Sequence, residues 1–294
     1  RAVPGVRLPG AGVTRVGATS VLPLLWFPAS DPSQLLTPVE RRGGIWMKRD
    51  DLFSVAGVQG GKARTCWALA SSRESRGLVT ASSRMSPQLN IVAHVARKLG
   101  IPARAHVPAG GDTPEMRAAR EVGLEVVQWR AGHNSVIVAR AREDALRSGR
   151  TLIPFGMECR EAVDATRLQV ENVPVEARRV VVPVGSGMSL AGILWGLHDR
   201  NLRTPVLGVV VGADPAKRLA RWQPYWRPWP IQLVRSALDY HEVAPETAFE
   251  GVQLDPIYEA KCIPFLEPED ILWIVGVRQC PGGYGVKRAK KKTC

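Results

Sequence analysis

The sequence predicts an α/β fold with mostly parallel sheets, and three observations predict it. Short β-branched runs alternate with helix-period segments from Gly77 to Val211, the pattern of strands joined by helical crossovers. Arg179-Val180-Val181-Val182-Pro183-Val184 is strongly β-branched, as a buried strand should be. Glycine-rich loops at Gly60-Gly61 and Gly185-Ser186-Gly187 each stand just ahead of a helix-compatible segment, so each brings backbone amides to a helix start.

Taken in order, residues 1–20 are rich in Gly, Pro and Val without periodicity and read as an extended arm. Ile45-Trp46-Met47 opens a strand, and the helix after Lys62 is expected to run to about Glu74, with Ala63, Cys66, Trp67 and Ala70 on one face. Gly77 to Thr80 reads as a buried strand. A helix from Gln88 to Leu99 carries Ile91, Val92, Val95 and Leu99 on its apolar side and closes at Gly100. Ala103–Val107 is a strand, and Thr113-Pro114 caps the next helix. A strand over 122–127, a helix over 135–148 and a strand over 151–155 follow, then a helical segment around 160–172. After the 179–184 strand come a helix through Leu197 and a strand over 206–211. The rhythm breaks over 215–235, where Trp222, Tyr225, Trp226 and Trp229 stand among prolines and arginines. A helix near 255–265 and a strand over 271–275 end the pattern, and no solenoid repeat is present.

At 294 residues with 45% hydrophobic composition, the chain is an ordinary globular one. No apolar run is long enough to span a bilayer, so no membrane partner is expected. Five scattered cysteines without a CxxC pair argue against a zinc site or a disulfide framework, and a cytoplasmic location is the economical expectation. The five histidines show no metal spacing. Forty basic against 27 acidic residues give +13, partly from the tail Val286–Lys292. Such a charge attracts polyanions, and the tryptophans at 221–230 would offer bases a stacking platform, or else form a lid or subunit contact. An arginine-rich genome or simple solubility accounts for the charge more economically than such a partner.

Lys62 follows two glycines, at the start of a helix. Glycine lets the backbone come close to a bound group, and the positive end of the helix favours a neutral amine, which imine formation requires. Gly185-Ser186-Gly187-Met188-Ser189 follows a buried strand and opens a helix, lacks a P-loop lysine and does not match GxGxxG. It suits a small phosphate. An imine-forming lysine with a separate phosphate cradle describes pyridoxal phosphate.

The order of these features resembles the fold type II (tryptophan synthase β-like) pyridoxal phosphate enzymes, and most of all the 1-aminocyclopropane-1-carboxylate deaminase and D-cysteine desulfhydrase family. The likeness rests on Thr37–Glu40, Trp46–Leu52, Gly60-Gly61-Lys62-Ala63-Arg64, the glycine loop, and Leu254-Asp255-Pro256-Ile257-Tyr258-Glu259-Ala260-Lys261, and covers roughly residues 35–275. It implies two three-layer α/β/α domains: a large cofactor-binding one of residues 1–75 and 159–294, and a small one of 76–158. By this resemblance Lys62 is the Schiff-base lysine and the base that moves the substrate's α-proton, and Ser186–Ser189 with Gly185 hold the phosphate. Tyr258 faces the substrate, and Glu259 meets the pyridine nitrogen. Ser86 is a catalytic or substrate contact, with Gln88 and Arg84 as further substrate contacts. Two departures stand out. Pro87 replaces the asparagine that usually faces the ring, and Val275-Gly276-Val277-Arg278-Gln279 replaces a His/Leu-Gly-Gly turn. Arg84 and Arg278 would then bring positive charge to the pocket and suit an acidic substrate. The resemblance implies lyase or deaminase chemistry on a small amino acid, in a homodimer as is common in that family. Two other readings stay open: an enzyme acting on amino-acid-decorated nucleobases in phage DNA hypermodification, and a degenerate member with a binding role.

Overall fold

The computed structural model describes residues 32–71, 74–130 and 133–278. The arm at 1–20, the basic tail and Gln279 lie outside them. Chain contacts divide between Asp31 and Pro32, and everything described here belongs to the unit starting at Pro32.

The principal strands are β1 (Val39–Arg42), β2 (Ile45–Arg49), β3 (Leu78–Ala81), β4 (Ala103–Pro108), β5 (Glu125–Trp129), β6 (Thr151–Ile153), β7 (Arg179–Val184), β8 (Val206–Val210), β9 (Ile231–Arg235) and β10 (Asp270–Ile274). The helices are α1 (Gly61–Ser71), α2 (Gln88–Leu99), α3 (Pro114–Glu121), α4 (Asn134–Ser148), α5 (Arg160–Gln169), α6 (Met188–Asp199) and α7 (Ala216–Trp222). A six-stranded sheet has the order β1-β2-β10-β7-β8-β9, and a four-stranded sheet the order β5-β4-β3-β6. All pairings in these two sheets are parallel except β1 with β2. The fold is α/β with mostly parallel sheets.

Side-chain alternation along each strand builds the layers. Val180, Val182, Val184, Ile271 and Trp273 point to one face of the large sheet, where they pack with Val163 of α5 and Ile193 and Leu197 of α6. Val181, Leu207, Val209, Leu272 and Ile274 point to the other, against Ala244, Leu254 and Ala260. That second face is covered by irregular chain and a 3-10 turn over Glu259–Phe265, not by the α-helix expected near 255–265. Pro264 within the turn lacks the amide an α-helix would need. The small sheet is helical on both sides. Leu78, Ala105 and Val107 meet α1, α2 and α3, while Val79 and Ala81 meet Ile137 and Ala141 of α4. Each fully buried Val, Ile or Leu in these layers contributes roughly 1.5–3 kcal/mol.

α5 and α6 cross closely because α6 is glycine-lined there. A Cβ on Gly192 would stand 2.5 Å from the Thr166 Cβ, and one on Gly196 2.5 Å from the Val170 Cβ. This crossing anchors α6 and hence the loop at its N-terminus.

The aromatic stretch corrects an expectation. Trp226 and Trp229 are buried in the large core, and the indole of Trp222 donates to Glu158 Oε1 at 3.3 Å. Of these rings only Tyr225 is well exposed, at 69%. There is no stacking platform for bases here; the residues brace α7, whose following chain returns as β9. The DNA-hypermodification reading loses that support.

Candidate active site

Loops at the strand ends meet in a cleft that opens to solvent. Its walls include Lys62, Gly185 to Ser189, Tyr258 and Glu259, from three separate stretches of sequence.

Lys62 sits on the first turn of α1. The loop before it is clasped by the chain leaving β10: the Gly61 amide donates to the Val275 carbonyl at 2.8 Å. Gly60 has φ +93°, and a Cβ there would fall 2.7 Å from that carbonyl oxygen and 2.8 Å from the Gly276 Cα. Only glycine admits both the conformation and the approach. Behind the loop, Arg64 and Asp50 form a buried ion pair at 2.5 Å. Burial lowers the Lys62 pKa below the usual 10.5, and Arg278 lowers it further, against Asp255 and Glu259, which raise it. The amine is biased toward its neutral, nucleophilic form.

At the opposite wall, β7 ends at Val184 and the chain turns through Gly187 (φ +88°) into α6. The turn presents a helix N-terminus and the Ser186 and Ser189 hydroxyls to the cleft. Tyr258 packs against the loop so tightly that a Cβ on Gly185 would lie 2.9 Å from its ring. The Lys62 Nζ stands 6.0 Å from the same ring. Burial, then the neighbouring Tyr240, raises the Tyr258 pKa well above 10.0, so the phenol keeps its proton.

Glu259 begins the 3-10 turn. Its Oε1 accepts from the Val275 amide at 3.0 Å, while its Oε2 is buried without a hydrogen-bond partner. Burial and the nearby Asp255 push its pKa well above 4.5. A partnerless buried carboxyl oxygen is costly and calls for a ligand atom.

Three sequence-predicted substrate contacts are not among the cleft walls. Ser86 accepts from the Gln88 amide at 3.2 Å. Gln88 is buried, donating to Thr80 Oγ1 and the Pro154 carbonyl, each at 2.8 Å. Arg84 turns to the Gly111 carbonyl. The wall here is instead Pro87, Asn90 and Ile91, which the helical spacing of i, i+3 and i+4 sets on one face.

The chain also brings in groups the sequence reading did not assign. Asp255 Oδ1 accepts from the Ile257 and Tyr258 amides at 2.8 and 3.0 Å; the Asp-Pro step was its available signal. Glu115, in the first turn of α3, had none. Arg278 does reach the cleft, but Glu115 Oε1 at 3.0 Å and Asp255 Oδ2 at 2.8 Å neutralise it. It therefore carries no spare positive charge for an acidic substrate, correcting that expectation.

Residues 31–253 match the family model described as "Pyridoxal-phosphate dependent enzyme". The chain belongs to this family of pyridoxal-phosphate dependent enzymes. Curated relatives include the biosynthetic L-threonine dehydratases of Corynebacterium glutamicum, 31% identical over 221 residues (70% of this chain, 50% of that relative), and of Mycobacterium tuberculosis, 30% over 207 residues (69% and 48%). The chain thus spans about half the length of the curated relatives it matches. Among solved structures, an ACC deaminase homologue superposes with TM-score 0.70 at 23% identity, covering 84% of this chain and 90% of that one. The processed form of threonine deaminase isoform 2 from Solanum lycopersicum gives 0.59 at 17%, covering 83% and 84%. These structures share the fold. The family's cofactor is pyridoxal phosphate, and the cleft residues fit it. Lys62 offers an amine to its aldehyde, the 185–189 loop a cradle to its phosphate, and the partnerless Glu259 oxygen a partner to its ring nitrogen.

Proposed function

We propose that this chain is a pyridoxal phosphate-dependent lyase or deaminase acting on a small amino acid, with Lys62 as the lysine that links the cofactor. The observation that carries the reading is the convergence of Lys62, the 185–189 loop and the buried, partnerless Glu259 oxygen on one cleft. Bound there, pyridoxal phosphate would supply an electron sink for bonds at the substrate's α-carbon. The chain's own groups do the rest. Lys62, biased to the neutral amine, accepts the α-proton at Nζ. Glu259, whose burial favours the protonated carboxyl, would hold the cofactor's ring nitrogen through Oε2. Tyr258, which retains its phenolic proton, acts as a hydrogen-bond donor toward the substrate rather than as a base. Gly185 to Ser189 would hold the phosphate on backbone amides and hydroxyls, without a lysine. The dehydratase and deaminase relatives support chemistry that eliminates a group from an amino acid.

We further propose that residues 76–158 form a small domain facing a large one across the cleft, that the chain works as a homodimer, and that it resides in the cytoplasm. The buried, unpaired thiols of Cys66, Cys159 and Cys262 support a reducing compartment. Among the described residues, no helix is long and apolar enough to cross a membrane.

The test is release of ammonia and 2-oxo acid from L-threonine, L-serine and 1-aminocyclopropane-1-carboxylate by the cofactor-loaded protein, with Lys62→Ala alongside. Release that depends on Lys62 is expected from at least one of them. Tight cofactor binding with no turnover of any would favour the degenerate, binding-only member.

A further inference from the structure

The chain leaving β10 touches the lysine loop and the turn that carries Tyr258 and Glu259. Val275 receives the Gly61 amide and donates its own to Glu259. At the end of the stretch, the Arg278 side chain is only 3% exposed and is paired on two sides. Glu115, 3.0 Å away, lies on α3, which packs with the small-sheet core through Met116 and Ala119. Asp255, 2.8 Å away, shapes the turn that carries Tyr258 and Glu259. The guanidinium also donates to the Met85 carbonyl ahead of α2 and lies 5.8 Å from the Tyr258 ring centroid. A planar fork with several donors can hold such a set where an ammonium cannot.

We propose that Arg278 is a positioning residue: a clasp that ties α3 to the 255–259 turn across the cleft and sets the balance of charge facing Lys62. It touches no reacting atom. It acts through Lys62, Asp255 and Tyr258.

The charged and titratable groups around Lys62 come from several elements. They are Arg278 on the exit from β10, Asp255, Tyr258 and Glu259 on the turn, Glu115 on α3, and the Asp50–Arg64 pair behind the lysine loop. Arg278 disfavours the charged amine, while Asp255 and Glu259 favour it. Removing Arg278 therefore withdraws the opposing cation and leaves the Asp255 and Glu115 carboxylates without its compensating charge. Both changes raise the pKa of Lys62, so its amine becomes neutral only at higher pH. A residue that merely filled space would not move that value.

The inference rests on the proposed function for the importance of Lys62, but its test does not need cofactor. In the cofactor-free protein, the rate of Lys62 acetylation by acetic anhydride is followed by mass spectrometry across pH. The wild type should show a midpoint below that of surface lysines in the same digest. Arg278→Met should raise the midpoint by about one pH unit, a tenfold drop in reactivity at fixed pH. Arg278→Lys, which keeps the charge, should leave the midpoint near wild type while weakening cofactor binding, because it lacks the fork. Should Arg278→Met fail to fold, Arg278→Met with Glu115→Gln buries one fewer negative charge and should show a rise of the same sign, since Asp255 and Glu259 remain. A folded protein lacking Arg278 with an unchanged midpoint would overturn the proposal. Absence of cofactor binding with the expected shift would overturn only the proposed function.

Discussion

Buried ionisable groups set both the chemistry and the pH response of this chain. Glu259 takes up its proton at higher pH in the folded chain than the ordinary 4.5, so its contribution to stability is complete below that value and is lost as pH rises through the folded one. Glu259→Gln keeps the shape and removes the titration. In the cofactor-free protein, its melting temperature should gain on wild type as pH rises above 4.5, each pKa unit being worth about 1.4 kcal/mol. Equal slopes would place the carboxylate in a wetter setting than the structure gives it. Lys48 titrates with the opposite sign. It is fully buried, donating to the Thr37 carbonyl and Asn172 Oδ1, each at 2.7 Å. Burial is the main cause that lowers its pKa from 10.5 to about 8. Between those values the unfolded chain binds the extra proton, so stability rises with pH across that window, by on the order of 3 kcal/mol. Thermal melts from about pH 7 to about pH 10 should show the rise in wild type and lose it in Lys48→Met.

At the scale of elements, the apolar pattern is a good guide wherever it is strong. The strand Arg179–Val184 and the helix Gln88–Leu99 were legible residue for residue, because a β-branched run and a clean helical period leave no competing reading. The stretch after residue 215 was not. It contains α7 and β9, but β9 is a half-exposed edge strand, and the tryptophans and prolines between the two obscure either period. Lys62 and the glycine loop were legible as local motifs. Arg278 with Glu115 was not, since the partners stand 163 positions apart, and neither has a sequence cue for the other. Glycines at close approaches give two further tests. Gly60→Ala meets both a positive φ and the Val275 carbonyl, so it should cost at least about 1–2 kcal/mol and weaken cofactor binding by displacing the exit from β10. Gly192→Ala at the α5–α6 crossing should cost about 1–3 kcal/mol by overpacking, as read by denaturant midpoint. If Gly192→Ala melts like wild type, the helices are not as close as the structure has them.

For the whole molecule, two mostly parallel sheets bring stretches far apart in sequence to one cleft at their strand ends, where open α/β sheets place ligands. Much of the basic charge behind the +13 total is balanced within the fold. Arg278 is internally balanced, and other arginines, such as Arg49, Arg104 and Arg179, are paired to carboxylates. The most direct measurement is a visible-absorbance titration of the purified protein with pyridoxal phosphate, wild type beside Lys62→Ala. A saturable visible band that the wild type forms, that borohydride fixes onto Lys62, and that the variant lacks is the predicted result. A band of equal strength in Lys62→Ala, or none in either protein, would contradict the assignment of Lys62 on which the mechanism rests.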